Sequence, residues 1–543
     1  MESGGIKSYI YEMIPVMKSK VILPACLLGL SLASATYAAS PVLGPENTRN
    51  LRTLETAPML FEYHRQTVGD ERQYFTYPRR DTTFRKHFQE SEANALLYYD
   101  NVQGPAISGH GHAVHCDDND TACIAAVKEL YVKDPRFGIA ASLVGGMDYR
   151  GGENLGDTIW PGIDGGLYVR GFADSVDFVL DARIYSEGHS AEWPKSWDRE
   201  FLEVQKEENN SGVEYTSYAR YRTHFAFNHD WLRLDFGRDV MHWGPGYYNN
   251  LTLNQFALPY NMMSLDLVIG PLRVMSFYGD LRIYNNSMSD KNKDDRNIFG
   301  HRYELAFGNA TFGMSELQVQ YNKLKPWLFV PTAPLFMEKG NYSESSNNGS
   351  LAFDFNYRLF NMARLYTEFY LDDMESPISL IKNDNIEAKW AWMAGMQAAH
   401  DFYFSGRRLE AGTIFEYARV EPYVYSHFVK NTAQIANLGY PLGNQGGPNS
   451  RTIDWTLYGR LDGHIFASLR NTWFWKGTDY GSALNDTTPT HNHMKIPKKF
   501  LDGAKMQYSL TPALSYEGQF VSFMGELTLV DDKKVFLRAG FKW

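Results

Sequence analysis

What most constrains this chain is a rhythm of connections. From Phe137 onward, stretches that read as β-strands are joined by links that are by turns very short and long. The short ones are Ala173-Asp174-Ser175, His229-Asp230, Gly270-Pro271, Gly308-Asn309, Phe360-Asn361, Ser405-Gly406, Asp462-Gly463 and Glu517-Gly518, most of them with tight-turn chemistry. Between them lie long polar connections, approximately 150–160, 187–212, 241–262, 285–300, 322–349, 373–389, 419–450 and 476–504; only Asp531-Asp532 breaks the order. About eighteen antiparallel strands, tight at one end and long at the other, predict an all-β fold, a transmembrane barrel with short periplasmic turns and long external loops. An even count brings both ends of the wall to the periplasmic side, where an exported chain arrives.

The strands themselves meet two solvents. In Met362 to Asp372, Ala363, Leu365, Thr367, Phe369 and Leu371 share the face predicted to meet lipid, against Arg364, Tyr366, Glu368 and Tyr370 on the lumen side. The preceding strand sets Leu351, Phe353, Phe355, Tyr357 and Leu359 against Ala352, Asp354, Asn356 and Arg358. At the C-terminus, Val535, Leu537, Ala539, Phe541 and Trp543 alternate with Phe536, Arg538, Gly540 and Lys542. That last strand is expected to close the barrel between Gln519–Val530 and the first strand near Phe137–Tyr149. Trp390 to Met396 has no clear polar face, which suggests packing against residues inside the barrel.

The N-terminus carries Lys18 and Lys20, the apolar run Val21 to Leu32, and small residues ending near Ala38-Ala39. That is the layout of a secretory signal peptide, expected over 1–39 with Met17 as the natural start. Pro24-Ala25-Cys26 only faintly resembles a lipoprotein site, because the apolar run continues past the cysteine. No later run is long enough for a transmembrane helix, and mean hydropathy is −0.40. A barrel hides its membrane signal in alternation, so a polar average with 15% aromatic residues suits it. The net charge of −10 argues against nucleic acid as a partner. Residues 40–134 do not follow the barrel pattern; they suggest helices over 81–99 and 121–131 in a small segment below or inside the barrel. There Cys116 and Cys123 suggest a disulfide, as a pair in an exported protein usually does. His110, His112 and His115 beside Cys116 match no closed zinc pattern, so a polar loop without metal is expected.

No G-x-S-x-G, H-E-x-x-H or phosphate-loop signature occurs, and no nucleophile stands out. The loops say more. Gly237-Arg238-Asp239-Val240-Met241-His242-Trp243-Gly244-Pro245-Gly246-Tyr247-Tyr248-Asn249-Asn250 sets Arg238, His242, Trp243, Tyr247 and Tyr248 on turns fixed by glycine and proline. Flat apolar faces beside hydrogen-bond donors suit sugar rings, though the same loop could instead fold inward and brace the barrel. A second loop, containing Tyr423, Tyr425 and His427 and running to Gly446-Gly447-Pro448, repeats the mixture.

At these loops the chain resembles the capsule assembly Wzi family of outer-membrane proteins. The matching stretches are Gly237-Arg238, Trp243-Gly244-Pro245-Gly246, Pro422-Tyr423-Val424-Tyr425-Ser426-His427, Pro441-Leu442-Gly443 and Gly447-Pro448. The resemblance covers the barrel, 135–543, and implies an eighteen-stranded surface lectin with a lumen closed to large solutes. It implies a protein that attaches capsular or other extracellular polysaccharide at the outer membrane, among its lipid and lipopolysaccharide, with no enzymatic chemistry and no cofactor. A monomer is expected. The N-terminal cysteines and histidines have no counterpart in the family pattern. The alternative is a porin-like channel for sugars or oligosaccharides, motivated by inward polar residues such as Arg358, Arg364 and Glu368.

Overall fold

The computed structural model describes residues 137–542 apart from parts of several connections, together with His64, 67–68 and Thr76–Tyr77. The expected signal peptide, the helices over 81–99 and 121–131, Cys116, Cys123 and the histidines at 110, 112 and 115 lie outside the described residues.

The wall is a closed antiparallel barrel of eighteen strands. They are β1 (Phe137–Gly152), β2 (Trp160–Ala173), β3 (Val176–Ser190), β4 (Val213–His229), β5 (Leu232–Asp239), β6 (Tyr260–Ile269), β7 (Leu272–Leu281), β8 (Arg296–Phe307) and β9 (Ala310–Tyr321). The ring continues through β10 (Asn348–Leu359), β11 (Ala363–Asp373), β12 (Lys389–Phe404), β13 (Arg407–Val420), β14 (Ser450–Leu461), β15 (Ile465–Lys476), β16 (Met506–Glu517), β17 (Ser522–Val530) and β18 (Lys534–Lys542). A short strand, Lys206–Glu208, adds to β4 near its outer end. As expected, β18 closes the ring, pairing Leu537 with Leu527 of β17 and with Tyr149 of β1.

Among the described residues, the tight links at Gly270-Pro271, Gly308-Asn309, Phe360-Asn361, Ser405-Gly406 and Asp462-Gly463 sit where the sequence placed them. Phe360 and Asn361 both have positive φ, 52° and 51°, as do Ser405 and Gly406 at 50° and 78°. Paired left-handed residues give a hairpin turn whose twist matches that of its strands. The two-solvent pattern is equally plain: on β10, Asp354, Asn356 and Arg358 are buried while Phe353 and Tyr357 lie exposed on the outer face. On β11 the buried set is Arg364, Tyr366, Glu368 and Tyr370, and Leu365 is exposed.

Buried inner-wall polar groups mean that something fills the lumen. The largest apolar cluster lies inside the barrel and joins Val240, Met241, Trp243, Leu251 and Leu253 of the β5–β6 connection to wall residues Phe277, Ile298 and Met393. Tyr425, Ile435 and Leu442 of the β13–β14 connection complete it. β12 lacks a polar inner face for this reason: Ala391 and Met393 point into the cluster.

Candidate functional site

The β5–β6 connection crosses the lumen. At one side the Trp243 ring meets Phe277 of β7 edge-on, centroids 5.1 Å apart. At the other, the Arg470 guanidinium of β15 lies 3.8 Å from the centre of the Tyr248 ring. In ring order β7 and β15 are eight strands apart in a wall of eighteen, so the loop reaches nearly opposite walls.

Two carboxylate pairs on the inner wall hold it there. Register sets Asp354 of β10 opposite Glu368 of β11, and Glu416 of β13 opposite Asp454 of β14. Like charges directly opposite one another destabilise a sheet unless each finds its own partner. In both pairs one member takes an arginine of the wall: Arg302 donates to Asp354 at 2.7 Å and Arg470 to Asp454 at 2.7 Å. The other member takes the loop backbone. Glu368 accepts the backbone N–H groups of Leu251 and Thr252 at 2.7 and 2.9 Å, and Glu416 those of Tyr248 and Asn249, each at 3.0 Å. Charge-assisted bonds of this kind are stronger than neutral ones and fix the loop backbone. Arg364 adds a donor to the Pro245 carbonyl at 2.7 Å. Tyr366 reaches Glu416 at 2.8 Å by lying over Gly395 of the intervening β12, where any side chain would collide with its ring.

The β13–β14 connection locks onto the first. The Tyr425 hydroxyl donates to the Leu251 carbonyl at 2.6 Å, Asn254 N–H donates to Leu442 O at 2.7 Å, and Asp372 of β11 accepts Tyr425 N–H at 2.8 Å. Gly443 permits the contact, because a Cβ there would overlap the Leu251 carbonyl oxygen. From the other end of the barrel the N-terminal region enters the lumen. His64 lies 2.7 Å from Asp401 and 3.2 Å from the Tyr458 hydroxyl, and Thr76–Tyr77 pairs with His242–Trp243 of the crossing loop. Since a carboxylate only accepts, we assign the proton of the neutral ring to Nε2, leaving Nδ1 to accept from Tyr458. Burial dominates and lowers the proton affinity of His64. Asp401 and Glu410 stand near enough to His64 to share a cation, but Arg408 contacts both carboxylates, at 2.7 and 3.3 Å, and Arg460 also pairs with Glu410. Their negative charge is already matched, a poor start for a metal centre.

The structure brings most of the residues proposed from sequence together, but it buries them. Trp243 and Tyr425 are 0% exposed, Tyr247 and Tyr423 2%, and His242 and His427 1% and 5%. Tyr248 is sandwiched beside Phe256, the rings within 9° of parallel, and burial pushes its hydroxyl up to about 12; the Tyr423 hydroxyl is raised to about 12 for the same reason. No ring face is left for a sugar on Trp243 or Tyr425, so these side chains form the floor beneath an outer surface. Arg238 stands apart, on the outer side of the wall, its guanidinium 5.4 Å from the centre of the Tyr221 ring. Glu416, Asp454, Arg470 and His64 were not foreseen. Their usable signal is the doubled inward carboxylate across a pairing register, which a sequence does not print.

No protein-family model matches the chain, and no curated protein sequence does. Among solved structures, the chain is similar to Wzi of Escherichia coli, described as an outer membrane protein involved in group 1 capsule assembly and as a carbohydrate-binding β-barrel. That likeness has a TM-score of 0.50 at 14% identity, over 94% of this chain and 99% of the other. Two further matches, OccAB1 of Acinetobacter baumannii and OccK2 of Pseudomonas aeruginosa in complex with glucuronate, each reach a TM-score of 0.36 at 10% identity. They cover 74% and 75% of this chain and 95% and 97% of their own. What the first likeness establishes is the fold, an eighteen-stranded β-barrel, and a closed barrel of this size with an apolar outer face is one of the outer membrane.

Proposed function

We propose that this barrel binds surface polysaccharide and helps attach capsule or other exopolysaccharide to the cell, in the manner of the capsule assembly Wzi family, as a monomer without chemistry or cofactor. The observation that carries the reading is the crossing of the lumen by the β5–β6 loop, clamped by Glu368 and Glu416 and locked by Tyr425. A fixed floor under the external loops suits a preorganised binding surface better than a path for diffusion. The carbohydrate binding described for the similar Escherichia coli barrel supports the same choice.

On this reading the buried aromatics position the surface, and the sugar meets what stands above them. Tyr480 is 69% exposed, and its neighbour Gly481 accepts the Tyr423 N–H at 2.9 Å. Beside it Lys499 pairs with Asp479 at 3.3 Å and with Asp502 at 3.1 Å. An open ring rimmed by charged hydrogen-bonding groups has the chemistry a pyranose needs. The test is the fraction of polysaccharide retained on intact cells against that shed. Loss of the gene should release it, and Tyr480→Ala should release a large part of it while the folded barrel persists. Full retention after gene deletion would sink the function, and large steady single-channel currents from the purified protein would favour a sugar channel instead.

A further inference from the structure

On β7, β8 and β9 the outer wall changes character partway up. Near the short turns the facing rows are apolar: Leu272, Leu305 and Phe312, then Val274, Tyr303 and Met314. The next rows outward-facing are Ser276, His301 and Glu316, then Tyr278, Phe299 and Gln318, then Asp280, Asn297 and Gln320. With ~3.3 Å per residue and strands tilted by roughly 40°, the apolar part of this arc is only about 10 Å tall, against the ~25 Å a barrel presents to lipid. The adjacent β10 stays apolar on its outer face from Leu359 up to Leu351.

The Ser276, His301 and Glu316 row is nonetheless buried, because the β9–β10 connection folds down on the outside over it and over Phe299. His301 stands 3.1 Å from Glu316 through Nδ1 and 2.8 Å from the Leu328 carbonyl through Nε2, and the Ser276 hydroxyl bonds the Phe329 carbonyl. Leu328 and Leu335 pack on Phe299 with Tyr278 and Phe329 around them. This corrects the sequence reading of 322–349 as a polar loop: the described stretch 324–331, with 334, 335 and 337, is mostly apolar and has two sides. One grips the wall. The other turns Leu324, Trp327, Val330 and Met337 outward at 57%, 59%, 49% and 56% exposure. Lys325 lies 6.0 Å from the centre of the Trp327 ring.

We propose that this flap, carried by residues 324–331 with Leu335 and Met337, is an outer-leaflet anchor that restores the missing lipid-facing surface of this arc and seats Trp327 at the boundary between acyl chains and headgroups. Apolar side chains here continue the lipid-facing band beneath them, and an indole beside a lysine is the pairing that prefers such a boundary. Lipid is therefore the occupant. The flap also keeps His301, Glu316 and Ser276 away from hydrocarbon, which could satisfy none of them.

The experiment uses the full protein in phosphatidylcholine vesicles with bromine near the carbonyl end or near the middle of the acyl chains. The Trp327 signal is taken as wild type minus Trp327→Phe, a mild change at an exposed position, with retained barrel mobility on unheated gels as the folding control. Expected is a blue-shifted signal lost in vesicles brominated near the carbonyl end, less so with bromine near the middle, and little touched by iodide. A red-shifted signal quenched by iodide and indifferent to bromine would overturn the anchor and leave the flap facing water or a protein. Stronger quenching from mid-chain bromine would overturn the boundary placement.

Discussion

Single residues decide whether the crossing loop stays in place, and Glu416 is the most exposed to test. Its carboxylate takes three loop backbone N–H groups, of Tyr247, Tyr248 and Asn249, and the Tyr366 hydroxyl in a region without solvent. Glu416→Ala strands those donors, at a cost of about 3 kcal/mol from their combined desolvation. We expect a lower midpoint in urea unfolding in detergent micelles; Glu416→Gln, which keeps the acceptor oxygen, should lose less. His64 carries a pH prediction. Its folded proton affinity is depressed by burial, so between its ordinary value of 6.5 and the lower folded one the unfolded chain binds the extra proton. Stability from this contact is therefore complete above pH 6.5 and declines as pH falls below it. Thermal midpoints taken from pH 7.5 to 5.5 should drop more steeply in the wild type than in His64→Gln, and parallel curves would refute the assignment.

At the scale of elements, turns and faces were legible because each is a local decision. Phe360-Asn361 and Ser405-Gly406 need left-handed backbone at adjacent positions, and alternation along β10 and β11 follows from the pleat alone. Even the featureless stretch Trp390 to Met396 said that something apolar lay inside. The destinations of the loops were not legible. The same aromatic and glycine composition serves an open sugar platform or a buried brace, and only Glu368, Glu416 and Asp372, brought together by register across distant strands, choose the second. Likewise, the apolar stretch 324–331 sits in a connection whose ends are polar, so averaging hid an apolar flap. If wall carboxylates hold the loop, Glu368→Ala with Glu416→Ala should release it as a unit. The expected readout is a single-channel conductance in planar bilayers well above that of the wild type, with β-sheet circular dichroism preserved. An unchanged conductance would mean that the β13–β14 loop suffices to keep the lumen crossed.

For the whole molecule, wall and filling depend on each other. The inner wall carries opposed carboxylates that need loop donors, and the loops carry Trp243, Tyr247 and Tyr425 that need the enclosure of the wall. Neither makes sense as a soluble intermediate, so closure of the ring should be the step that commits the chain. That step belongs to Lys534–Lys542, whose backbone pairs with β17 on one side and β1 on the other. Removing residues 534–543 leaves two facing edges with a row of unpaired N–H and C=O groups each, and in hydrocarbon every such group costs several kcal/mol. Seventeen strands also place the two ends of the wall on opposite sides of the membrane. The expected outcome for the truncated chain, refolded into lipid vesicles, is no compact species on unheated gels and full digestion by added protease. A truncated protein that inserts and resists protease would show that the ring can close β17 directly on β1, and the coupling between closure and filling would have to be abandoned.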